Sequence, residues 1–143
     1  MATLEQAIAL AAERHTGQVD KANIPYILHL LRIMLQVQES DHKIVAVLHD
    51  ILEDTATTID ELYAADFQPD IVKAIVALTK QKGASRVQAA QSTVLNPIAR
   101  VVKLANLADN MDLSRIESPT AKDFERLQEY QQVRDILFAK NVE

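Results

Sequence analysis

The sequence predicts an all-α fold in a single domain, and three observations predict it. Apolar residues recur at three- and four-residue spacing, as in Leu4, Ile8, Ala11 and Ala12. Helix-start signals recur between these stretches: Thr3 with Gln6, Thr58 with Glu61, and Pro69, Pro97 and Pro119. No alternation of apolar and polar residues bounded by hairpin turns appears. With 143 residues, positions 1–143 have room for one hydrophobic core built from about seven to eight helices.

In chain order, Thr3 and Gln6 form a capping box and Gly17 stops the first helix. "DKANIP" is a loop, because Pro25 forces the preceding residue out of the helical region. A second helix spans about Tyr26 to Val37, with Ile27, Leu30, Leu31 and Met34 on one face. Asp41 can cap a third, which carries Ile44, Val47, Leu48 and Ile51. Thr58 caps a short helix, and Pro69 opens another that runs through Leu78. "TKQKGAS" is a polar connection to a helix from about Ser85 to Val94. "NP" at 96–97 starts the next helix. Pro119–Thr120 starts the last, whose Leu127, Tyr130, Val133 and Leu137 make an apolar stripe.

Composition narrows the function. Two glycines and four prolines are too few for a turn-rich β protein. Aromatic residues are 4% of the chain and Trp is absent, which argues against base-stacking platforms. A net charge of −5 without a basic stripe disfavours nucleic acid as a partner. No cysteine is present, so thiolate metal sites, disulfides and cysteine nucleophiles are excluded. There is neither a signal peptide at the N-terminus nor an apolar run long enough for a bilayer. A soluble cytoplasmic domain without membrane association is expected, and homo-oligomerisation is compatible with it.

The stretch "AVLHDILEDT", residues 46–55, sets His49, Asp50, Glu53 and Asp54 among core-type residues. Unpaired charge beside a core is costly, so these side chains need partners. His29, on the second helix, supplies another imidazole. Two imidazoles and a carboxylate suit a borderline divalent ion: Mn2+, Fe2+, Co2+ or Zn2+. Consecutive helical residues point about 100° apart, so His49 and Asp50 can share an ion only if it sits against the side of that helix. Glu53 follows on the same face one turn along, placed to orient an attacking water or take its proton.

These residues resemble the HD-domain metal-dependent phosphohydrolases, in particular the small ones related to the hydrolase domain of the RelA/SpoT alarmone enzymes. Four ordered segments carry the resemblance over nearly the whole chain: "HTGQVDKANIPYILHLLRIM", "AVLHDILEDT", "IVKAIVALTK" and "VVKLANLADNMDLSRI". It implies an HD-domain helical bundle and hydrolysis of a small phosphorylated metabolite, a nucleotide such as a guanosine polyphosphate. It implies one divalent metal ion, Mn2+ first, with Fe2+, Co2+, Zn2+ or Ni2+ as alternatives. By resemblance His29, His49 and Asp50 are metal ligands, Glu53 and Asp54 serve the nucleophilic water, and Asn110, which matches an asparagine one turn after the last ligand, is a substrate-binding residue.

Two positions depart from the family pattern. The fourth ligand, the Asp of "KLAD", is Asn106 here, a neutral and weaker donor that leaves a site of about +1 rather than 0 around a divalent ion. Asp109 lies three residues on, about 4.5 Å along the helix axis, so substitution in place by Asn106 or a water is the expectation. The basic pair expected after "HxGQ" is Asp20–Lys21, which loosens the assignment to one alarmone. Lys21, Lys80, Lys82, Arg86, Lys103 and Arg115 are the cations available to bind phosphate, while His15 supports the first loop and His42 is a helix-start surface residue. Loss of the "KLAD" carboxylate leaves two alternatives: a nucleotide-binding module without turnover, and a scaffold whose metal only ties helices together.

Overall fold

The computed structural model describes residues 1–112 and 118–142, with residues 139–142 described by backbone alone. Among them are nine helices: α1 (Leu4–Arg14), α2 (Ile27–Gln36), α3 (Ser40–Leu48), α4 (Ile51–Asp54), α5 (Ile59–Ala64), α6 (Pro69–Leu78), α7 (Arg86–Thr93), α8 (Pro97–Asn110) and α9 (Ala121–Val142). No strand occurs among the described residues, whose β pairing is one isolated antiparallel bridge between Val19 and Pro25. None of the described helices is long and apolar enough to cross a membrane.

Local chemistry sets most helix starts. The Thr3 hydroxyl accepts from the Gln6 N–H while the Gln6 side chain accepts from the Thr3 N–H. Ser85 and Gln88 make the same reciprocal pair, and the side chains of Thr58 and Asn96 cap α5 and α8. The third helix departs from expectation: it begins at Ser40 without a side-chain cap, and Asp41 sits inside its first turn. A carboxylate there still complements the helix dipole.

The core is organised around α3, in which Ile44 through Leu48 are all buried. It packs against α1, α2, α6 and α8. Each large aliphatic side chain taken out of water there contributes about 1.5–3 kcal/mol. A smaller cluster of Ala90, Leu107, Val133 and Leu137 joins α7, α8 and α9, which accounts for the apolar stripe of the last helix.

The third helix does not run on to Asp54. It ends at Leu48, Asp50 adopts φ −100 and ψ 1, and winding resumes at Ile51 for the single turn of α4. The interruption raises the helix count above the seven or eight expected. It also frees His49 and Asp50 from the 100° separation that continuous winding imposes.

The loop before α2 is equally specific. Gly17 takes φ +87, in the left-handed region. The Asp20 carboxylate accepts the N–H groups of Ala22 at 2.8 Å and Ile24 at 3.0 Å. The acid that departs from the family's basic pair is therefore a loop former. The Tyr26 N–H donates to the Gln18 carbonyl at 2.9 Å, which seats Tyr26 at the head of α2.

Candidate active site

α2 delivers His29, the end of α3 delivers His49, and the break after α3 delivers Asp50. One ligand atom from each lies within 4.8 Å of the others, and among the described residues no other His, Cys, Asp or Glu is gathered in this way. The two imidazoles meet edge-on with ring centroids 6.0 Å apart. His49 Nδ1 lies 2.7 Å from the Ala46 carbonyl, which can only accept, so the proton is on Nδ1. Its Nε2 is buried, makes no hydrogen bond of good geometry and lies 3.1 Å from Asp50 Oδ2. A buried ring nitrogen facing a carboxylate and a second imidazole is a place for a positive charge, a proton or a metal ion.

The protonation tendencies agree. Burial opposes a charged His49 ring, yet the Asp50 carboxylate and the Ala46 carbonyl raise its pKa above the ordinary value. Burial likewise opposes the Asp50 charge, but His49 and the Tyr26 hydroxyl, which donates to Asp50 Oδ2, hold the carboxyl far below its usual range. Without a cation, a proton on His49 serves as the positive partner of Asp50. The residues fit a divalent ion that would replace that proton.

Glu53 and Asp54 follow on α4, one turn from Asp50. Glu53 Oε1 accepts the backbone N–H of Lys80 at 2.8 Å. The Asp54 carbonyl accepts from Gln18 Nε2 at 3.0 Å, and Gln18 Oε1 lies 2.8 Å from His15 Nδ1, so "HxGQ" braces α4. Burial, then the Asp50 and Glu53 carboxylates, push the Asp54 carboxyl up to about 6. Both acids lie on one isolated helical turn.

α8 supplies Asn106 and Asp109, both buried. Asn106 Oδ1 accepts from Asn110 Nδ2 at 3.0 Å. Asp109 meets the trio from behind: its Oδ2 lies 2.5 Å from His29 Nδ1, and Arg32 grips both of its oxygens, at 2.8 and 3.0 Å.

Beside the trio opens a cavity of about 420 Å3 whose wall includes Lys21, Tyr26, Asn110, Asp123, Arg126 and Tyr130. Tyr26 belongs to both, lining the cavity while donating to Asp50. Of the expected phosphate-binding residues, Lys21 and Asn110 are in this wall. Lys103 sits close enough to Asp50 and Glu53 for their charges to act on it, although burial lowers its pKa overall. Lys80 instead turns its amine to the Ala84 carbonyl at 2.6 Å. Arg86 pairs with Glu129 at 3.2 Å and lies over the Tyr130 ring. Arg115 is outside the described residues. Sequence reasoning missed Arg126 altogether and placed Tyr130 only in packing. Tyr26 stands three residues before His29, but its hydroxyl partner could not be read from spacing.

No protein-family model matches the chain. Guanosine-3′,5′-bis(diphosphate) 3′-pyrophosphohydrolase MESH1 of Mus musculus is 34% identical over 143 residues, covering 90% of this chain and 79% of that protein. The Danio rerio MESH1 is 32% identical, with 90% and 78% covered. The guanosine-3′,5′-bis(diphosphate) 3′-pyrophosphohydrolase of Aquifex aeolicus (strain VF5) is 38% identical over 81 residues, 54% of this chain, and the chain spans only 12% of its length. Among solved structures, one described as a metazoan ortholog of SpoT that hydrolyzes ppGpp superposes with a TM-score of 0.78. It covers 96% of this chain and 86% of that one at 21% identity, which establishes a common fold. The chain thus belongs to the guanosine-3′,5′-bis(diphosphate) 3′-pyrophosphohydrolase family and carries its all-helical HD-type fold.

Proposed function

We propose that the chain is a metal-dependent phosphohydrolase of the cytoplasm that removes pyrophosphate from a guanosine polyphosphate or a closely related nucleotide. One observation carries the reading: His29, His49 and Asp50 converge within 4.8 Å beside a cavity whose wall holds Lys21 and Arg126 together with Asp20, Asp112 and Asp123. The names of the relatives point to the same chemistry. A divalent ion held by His29, His49 and Asp50, with Asn106 as a neutral fourth donor and Mn2+ the first choice, would acidify water and offset charge developing on the phosphoryl oxygens.

The chain's own residues do the rest. Tyr26 and the Ala46 carbonyl hold Asp50 and His49 in place before substrate arrives. Glu53 and Asp54 orient the attacking water, and the carboxylate nearest it takes its proton. The water oxygen bonds to phosphorus, the ester P–O bond breaks, and the ribose oxygen leaves with a proton. Lys21, Arg126 and Asn110 hold the nucleotide in the cavity, and Lys103 offsets the acids around the trio.

The test is Mn2+ binding together with phosphate and pyrophosphate release over a nucleotide panel, for the natural chain and Asn106→Asp. The expected result is Mn2+-dependent release of pyrophosphate by the natural chain, abolished by a chelator. Mn2+ binding by both forms with turnover only by Asn106→Asp would establish the non-catalytic binding module instead. Failure of the natural chain to hold any divalent ion would remove the metal centre from the account.

A further inference from the structure

Building on the trio as a metal centre, we propose that Asp109 is its positioning residue. It fixes the His29 ring through Nδ1 and is itself fixed by Arg32, so α8 orients a ligand from behind where the family pattern would have it donate a carboxylate.

The geometry joins three side chains from two helices. Asp109 Oδ2 lies 2.5 Å from His29 Nδ1 and 3.0 Å from Arg32 Nη2, while Oδ1 lies 2.8 Å from Arg32 Nε. A two-pronged guanidinium contact fixes the plane of a carboxylate, so Asp109 presents one set direction to the imidazole. A carboxylate facing an arginine acts as acceptor, which places the His29 proton on Nδ1 and its lone pair on Nε2. The His49 ring has the same disposition through the Ala46 carbonyl. Both imidazoles therefore hold Nδ1–H toward the protein and keep Nε2 for coordination.

The plain alternative is an ion bridge that only ties α2 to α8. A bridge of that kind needs Arg32 and Asp109 and gains little from touching the histidine. Here one Asp109 oxygen, Oδ2, contacts both the arginine and the His29 ring, so the carboxylate links the two. Position matters too: Asp109 lies one turn past Asn106, where the family pattern has its fourth ligand, and His29 is the ligand it reaches. Because Arg32 cancels the Asp109 charge, the clamp contributes direction without adding negative potential. The centre keeps the positive formal charge that Asn106 leaves, and its affinity depends more heavily on how well its histidines are held.

The experiment is titration of the intact chain with Mn2+ alone, the free ion followed by electron paramagnetic resonance, for the natural chain, Asp109→Asn and Arg32→Gln. In parallel, 15N–1H correlation on the metal-free protein reports which nitrogen of each histidine carries the proton. The expected results are a roughly 10- to 100-fold weaker Mn2+ affinity for Asp109→Asn, a smaller loss for Arg32→Gln, and an Nδ1–H signature for His29 in the natural chain. Unchanged Mn2+ affinity in Asp109→Asn overturns the positioning role while leaving the metal centre standing. No Mn2+ uptake by the natural chain overturns the metal centre and this role with it. Should Asp109→Asn fail to fold, the ring signature of the natural chain decides, and an Nε2–H form of His29 overturns the proposal.

Discussion

The Glu53 carboxylate accepts the backbone N–H of Lys80 at 2.8 Å, which ties the single turn of α4 to the segment that follows α6. One oxygen of a proposed catalytic acid is thus committed to structure, and the other remains for water. Glu53→Gln keeps a carbonyl oxygen for Lys80 and removes only the charge. The expected outcome is thermal stability within about 0.5 kcal/mol of the natural chain, with pyrophosphate release down by roughly 100- to 10,000-fold. Calorimetry and a release assay on the same preparation check both halves.

Tyr26 donates its hydroxyl to Asp50, and burial together with the Asp50 carboxylate raises the phenol pKa so far that it stays a donor at any working pH. Tyr26→Phe leaves that carboxylate one donor short in a buried setting. The expected cost is about 1–3 kcal/mol, read as a lower urea midpoint at pH 7 with an unchanged slope. Since the folded Asp50 pKa is depressed, its stabilisation exists above the unfolded value and is lost as pH falls. The difference between the two chains should therefore shrink in strong acid.

Much of this arrangement was legible in the sequence because it rests on local rules. Thr3 with Gln6, Ser85 and Pro97 mark helix starts through contacts within one turn, and the helices begin there. His29, His49 and Asp50 stood out as polar groups in apolar surroundings, and the fold brings them together. The break after Leu48 was not legible, since "AVLHDILED" keeps helical spacing throughout and nothing in it signals a stop. Nor was the Arg32–Asp109–His29 contact, which joins residues 77 and 80 positions apart. Asp20 is half legible for a related reason: it lines the cavity beside Lys21, as its place after "HxGQ" suggested, but spacing does not show that it also accepts two backbone N–H groups in its own loop.

Asp54 gives a pH signature. Its carboxyl is pushed up to about 6 by burial and by the Asp50 and Glu53 charges. A raised acid pKa favours the folded state below the unfolded value, near 4, and that contribution is lost as pH rises through about 6. In the metal-free protein, a carboxyl-detected titration should place Asp54 near 6, and Asp54→Asn should remove the matching loss of stability between pH 4 and 6. Added Mg2+ or Zn2+ should pull the midpoint down, because a cation among Asp50 and its neighbours offsets the charges that raise it.

Arg126 and Lys21 face one carboxylate across the cavity wall, with Asp123 Oδ1 3.4 Å from the first and 3.8 Å from the second. The other Asp123 oxygen accepts the Thr120 N–H at 2.7 Å at the start of α9, so the acid is held in place while the cations are long and movable. A phosphate entering the cavity competes with Asp123 for both, and neither contact is short enough to resist it. Arg126→Gln should therefore raise KM by roughly 10- to 100-fold, the worth of one charge-assisted contact, with kcat changed by less than about threefold. Stability should change by less than about 1 kcal/mol, because an i,i+3 pair this long contributes little. Steady-state kinetics at two salt concentrations make the check: the KM of the natural chain rises with salt and that of the variant rises less. A fall in kcat at constant KM would instead move Arg126 from nucleotide binding to the reacting phosphorus.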